Sequence, residues 1–79
     1  MGHARPRPKR LAEKLLQIRT TLGLSQPQLA KRIGMREYTT ISKFEHNVNE
    51  PSLMTLLAYA KLAGVRVEDL IDDDLTLQF

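Results

Sequence analysis

At 79 residues and 42% hydrophobic content, the chain carries enough apolar material for one modest core, hence one domain. It has no cysteine, which excludes a disulfide framework and a thiolate metal site and suits a reducing compartment. The net charge is +3, no apolar run approaches the roughly 20 residues that span a bilayer, and no hydrophobic signal core is present, so a cytoplasmic protein that does not enter membranes is expected.

Residues 1–10 read as a basic arm with Arg5, Arg7, Lys9 and Arg10, in which Pro6 and Pro8 favour extended polyproline geometry. From Leu11 the steps to Leu15, Ile18 and Leu22 alternate between four and three, which marks one buried face of a first helix closed by Gly23. Ser25 then suits the N-cap of a second helix, with Gln28 completing a capping box and Pro27 tolerated in the first turn. This helix is expected to reach about Ile33. A third helix is expected from about Glu37 to His46, burying Ile41 and Phe44, with Asn47 placed where a left-handed C-cap residue is wanted.

Pro51 prevents continuation, and Ser52 caps a fourth helix whose apolar face is Leu53, Leu56, Leu57, Ala60 and Ala63, ending at Gly64. A last helical turn covers Val67 to Ile71. The tail, 72–79, combines an acidic run with Leu75, Leu77 and Phe79 at a period of two, the chain's one strand-like pattern. The expected class is therefore all-α, with residues 11–71 forming the folded unit.

Charge divides the chain. Up to Lys43, ten basic residues stand against Glu13 and Glu37, a balance of +8; from Phe44 onward, Lys61 and Arg66 stand against seven acids, a balance of −5. A chain polarised in this way presents one surface to a polyanion and keeps another away from it. The plainer alternative is scattered solvated charge.

The segments LGLSQPQLAKRIG, TTISKFEHN and EPSLMTLLAYAKLAGVRVEDLI, taken in that order, resemble the phage-repressor type of helix-turn-helix domain, the Cro/cI-like or xenobiotic response element family. The matching elements are the Leu-Ser-Gln start of helix two, Leu29-Ala30, Ile41-Ser42 with Glu45, Pro51-Ser52, and the Ala60 to Val65 stretch. The resemblance covers about Leu15 to Ile71. It implies a compact five-helix, lambda-repressor-like DNA-binding domain, with the arm before it and a short extension after it. Helix three would lie in the major groove of double-stranded DNA while helix two crosses the phosphate backbone.

Carried over by position, the resemblance makes Tyr38, Thr39 and Lys43 the base-reading residues. It makes Gln26 a phosphate contact at a helix N-terminus, where backbone N–H groups already favour an anion. Arg36, Thr40 and His46 are expected to position the backbone, and Arg5, Arg7, Lys9 and Arg10 to follow phosphates or enter the minor groove. Arg19 and Glu45 match the family's ion pair between helices one and three and are expected to be structural. Two departures stand out: the turn GMREY is one residue longer than the family's usual spacing, and the loop NVNE has none of the cations common there. Solvated or capping hydroxyls remain the alternative for Thr39 and Thr40, as does a ring that caps the core for Tyr38.

His3 and His46 stand alone, without catalytic or metal-site spacing, and there is no glycine-rich phosphate loop, so no enzyme, cofactor or metal is expected. Asp72, Asp73 and Asp74 read as a solvated acidic run. Expected partners are double-stranded DNA and a second copy of the chain, making a homodimer on DNA through the tail or near helix five. The rival function, known among relatives of this type, is an antitoxin or co-regulator that grips a protein partner, with the tail as a possible contact.

Overall fold

The computed structural model describes residues 8–79; Arg5 and Arg7 of the expected arm lie outside the described residues. Five helices follow in order, α1 (Leu11–Thr21), α2 (Gln26–Arg32), α3 (Thr39–Glu45), α4 (Leu53–Ala63) and α5 (Val67–Ile71). The described residues contain no strand. None of their helices is long and apolar enough to cross a membrane.

The helix ends follow from local chemistry. The Ser25 hydroxyl accepts the Gln28 N–H at 3.2 Å while the Gln28 side chain accepts the Ser25 N–H at 2.8 Å, so both orphan donors at the start of α2 are satisfied. Ser52 caps α4 by accepting the Thr55 N–H. At the other ends the chain turns left-handed, through Gly34 after α2 and Asn47, at φ 60°, after α3. Asn47 is the only non-glycine among the described residues to do so, and Val48 N–H then folds back to donate to Lys43 O at 2.8 Å.

The core gathers Leu15 and Ile18 of α1, Leu29 of α2, Ile41 of α3, Tyr59 of α4 and Leu70 of α5, all fully buried. Each such side chain contributes on the order of 1.5–3 kcal/mol of burial free energy, and together they fix α2 and α3 to a scaffold of α1, α4 and α5.

Four expectations need correction. α3 begins at Thr39, not Glu37, because Tyr38 occupies the N-cap position without a side-chain cap. Leu22 is the C-cap of α1 and half-exposed, since the helix ends before that position can turn onto the core. Leu53, the first residue of α4, is 70% exposed, since the helical period alone does not say which positions a neighbouring element covers. The tail forms no strand: Leu77 packs on the core while Phe79 stands in solvent.

Two basic residues counted toward the positive half are built into the fold. Lys14 is completely buried, its ammonium donating to Asp69 O at 2.7 Å and Asp72 O at 2.8 Å, where it satisfies carbonyls at the end of α5. Arg10 donates through Nη1 to Asp73 O at 2.9 Å and Leu75 O at 3.4 Å, and through Nε to Glu13. The Asp73 carboxylate accepts the backbone N–H groups of both Lys9 and Arg10, and those two bonds hold its carboxyl below the ordinary 3.8. The base of the basic arm is thereby joined to the C-terminal segment.

Candidate nucleic-acid interface

The α2–turn–α3 unit presents its polar residues on a frame set by one ion pair. Arg19 meets Glu45 in a bidentate arrangement, Nε to Oε2 at 2.7 Å and Nη2 to Oε1 at 3.1 Å, and its third donor group, Nη1, reaches Leu24 O at 3.1 Å. Glu45 is almost fully buried and Arg19 mostly so. The hydrogen bond to Glu45 raises the Arg19 pKa further above its ordinary value, so the guanidinium stays charged. A bidentate pair fixes orientation as well as distance, and here it sets the rotation of α3 relative to α1.

Gln26, the first residue of α2, joins this frame. Its Nε2 donates to Glu45 Oε1 at 3.2 Å, a contact that the sequence did not suggest, because Gln26 and Glu45 meet only once α2 and α3 have packed. One of its two amide N–H groups thus serves the fold while the side chain remains half-exposed at the helix N-terminus.

On α3, Ile41 and Phe44 point into the core. Thr39 and Lys43, four residues apart on the same face, are both exposed, and Tyr38 stands half in solvent just before the helix. Thr40 is half-buried beside them. His46, the C-cap, places Nδ1 2.7 Å from Ser42 O, an atom that only accepts, so Nδ1 carries the proton in this contact. Arg36, in the long turn, is exposed together with Lys31 and Arg32 of the last turn of α2. Within the turn, Met35 packs against the core while Arg36, Glu37 and Tyr38 run outside.

The structure therefore brings Gln26, Tyr38, Thr39, Thr40, Lys43 and His46 onto one helix pair and its flanks. It places Lys9 and Arg10 elsewhere, beside the C-terminal segment.

Residues 15–70 match the helix-turn-helix family. The chain belongs to that family. Among curated relatives, this helix-turn-helix chain is 39% identical over 59 residues to antitoxin HigA1 of Mycobacterium tuberculosis, a match covering 75% of the chain and 39% of that protein. The chain thus spans well under half the length of that relative. Its fold is similar to that of the P22 c2 repressor, solved with a synthetic operator, at TM-score 0.74 and 28% identity over 81% of this chain and 96% of the other. It is also similar to the N-terminal DNA-binding domain of SinR from Bacillus subtilis, at TM-score 0.70 and 26% identity over 77% of this chain and 88% of that one. The helix-turn-helix match begins at Leu15 and ends at Leu70, so it contains every helix except the first turn of α1 and the last residue of α5.

Proposed function

We propose that the chain is a sequence-specific double-stranded DNA-binding protein that regulates transcription as a repressor, with α3 in the major groove. The carrying observation is the exposed Thr39–Lys43 face on a helix whose orientation is locked by the buried Arg19–Glu45 pair. Lys43 donates to guanine O6 and N7, and Thr39 hydrogen-bonds a base or touches a thymine methyl. Tyr38 stacks at the edge of the same surface. Gln26, Arg36, Thr40 and His46 take phosphate positions, and the arm residues Arg5, Arg7 and Lys9 add further backbone contacts. On this assignment residues 1–10 are the arm, 11–71 the DNA-binding unit and 72–79 an extension. The protein acts in the cytoplasm as a homodimer and needs neither catalysis nor cofactor.

Selection of bound sequences from a random DNA pool tests this proposal. Lys43→Ala should relax preference at one base pair by about 1–3 kcal/mol, whereas Gln26→Ala should weaken binding to all sequences about equally. Absence of any preference over bulk DNA at physiological salt would sink the claim of specific readout.

The 39% identity to antitoxin HigA1 favours a second reading, in which the chain acts as an antitoxin whose main partner is a protein and DNA binding is secondary. Mobility-shift assays with mixed-sequence DNA separate the two, because a predominantly protein-binding module retards DNA weakly or not at all.

A further inference from the structure

The polar side chains of α3 divide into those the fold already uses and those it leaves open. The Ser42 hydroxyl lies 3.3 Å from His46 Nδ1, and that nitrogen also donates to Ser42 O. Glu45, the one carboxylate of the helix, has a side chain only 3% exposed and is taken by Arg19 and Gln26. The helix start has no side-chain cap, so Thr39 and Thr40 do not serve there. The side chains of Thr39 and Lys43 make no hydrogen bond or ion pair with another described residue, and both are exposed.

What remains open is a face of donors. The Lys43 ammonium has three N–H groups and no acceptor, while Thr39 carries a hydroxyl and a methyl group. The helix contains no Asn or Gln, and with Glu45 sealed it exposes neither an amide nor a carboxylate. Glu37, an exposed acid nearby, precedes the N-cap and lies in the turn. Gln26 has already given one N–H to Glu45. In the major groove guanine presents the acceptors N7 and O6, and thymine presents O4 and a methyl group, whereas the amino groups of adenine and cytosine call for an acceptor.

We propose, resting on the DNA-binding reading, that this face selects keto bases: Lys43 takes a guanine through O6 and N7, Thr39 takes a thymine through its methyl group, and no adenine or cytosine amino group is read. Spacing fixes how the two bases are arranged. Thr39 and Lys43 stand one above the other, about 6 Å apart along the helix axis. Base pairs stack about 3.4 Å apart, so the chosen guanine and thymine lie one or two steps from each other. Direct readout by α3 is thereby confined to two base pairs for each bound copy.

Selection from a random DNA pool, followed by duplexes altered atom by atom, tests the proposal. Lys43 and Thr39 are exposed, so their variants should keep the wild-type melting temperature. Sites selected by the wild type should share one G·C and one T·A pair within two steps. Exchanging that guanine for 7-deazaguanine, which lacks N7, should weaken binding about tenfold, while inosine, which keeps O6 and N7, should not. Exchanging the thymine for uracil removes only the methyl group and should weaken the wild type about fourfold, but leave Thr39→Ser, which has no methyl to meet it, unaffected. Lys43→Gln should move the selected base at its one position from guanine to adenine, since Gln pairs with adenine N6 and N7. Equal binding of guanine and 7-deazaguanine sites, an inosine loss as large as the 7-deazaguanine loss, or a Lys43→Gln selection identical to the wild type would overturn the guanine assignment. A uracil effect as large in Thr39→Ser as in the wild type would overturn the thymine assignment. Each of those results leaves specific DNA binding standing, whereas a wild type that selects no sequence overturns both together.

Discussion

Tyr59 is the largest fully buried side chain, and its hydroxyl is the one buried side-chain polar atom among the described residues that finds no hydrogen-bond partner. Leaving such a group unsatisfied costs about 1–3 kcal/mol, whereas removing it altogether is nearly free. Tyr59→Phe is therefore expected to leave stability at pH 7 unchanged or raise it by up to about that amount, measured by denaturant midpoint at constant slope. Burial, followed by the charge of Glu45, raises the Tyr59 pKa above its ordinary 10.0. For a group raised in the folded state, the associated stability is complete below the unfolded value and is lost as pH rises through the folded one. The wild type should therefore weaken above about pH 10 and the variant should lose less over that range. A variant less stable at pH 7 would instead point to a bridging water on the hydroxyl. In the sequence, Tyr59 sits within an apolar run and nothing marks it as sealed. Lys14 is equally silent, because its burial depends on carbonyls of α5 that lie 55 or more residues away.

Among the elements, helix ends were more legible than helix faces, because caps are local and burial is not. The Ser25–Gln28 box, the Ser52 cap and the left-handed Asn47 all stand where their side-chain chemistry puts them. Leu22 and Leu53 keep the helical period yet face solvent, since period alone does not say where a neighbouring element stops. On the proposed reading face, Thr39 and Lys43 stand exposed on the side that four-residue spacing implies, while the tie between Gln26 and Glu45 is a tertiary contact without a local signal. The turn before α3 offers a direct test. Gly34 has φ +78°, and a Cβ built there meets nothing within 4 Å, so any cost of substitution comes from backbone conformation alone. Gly34→Ala should destabilise by about 1–2 kcal/mol and Gly34→Asn by less, read as a shift in denaturation midpoint. Equal effects for the two would show that something other than left-handed geometry governs the turn.

Over the whole molecule, the count of +8 up to Lys43 overstates what a polyanion meets. Lys14 and Arg19 hold the scaffold together, and Arg10 is engaged by Asp73, Leu75 and Glu13. The exposed cations among the described residues of that half are Lys9, Lys31, Arg32, Arg36 and Lys43. This sorting predicts how binding to DNA depends on salt, because each phosphate contact releases counterions and contributes about 0.9 to the log–log slope. Deleting residues 1–7 removes Arg5 and Arg7 but leaves the buried Pro8, Lys9 and Arg10 on the domain. If the arm follows phosphates, the slope should therefore flatten by at most about 1.8, not by the roughly 3.6 that four arm cations would give. The melting temperature should barely change, because the bonds from Lys9 and Arg10 to Asp73 survive the deletion. Affinity measured from low to physiological salt on one selected site checks both values. An unchanged slope would reduce the arm to a spacer, and a loss well beyond about 1.8 would mean that the deletion also disturbs phosphate contacts made by residues it leaves in place.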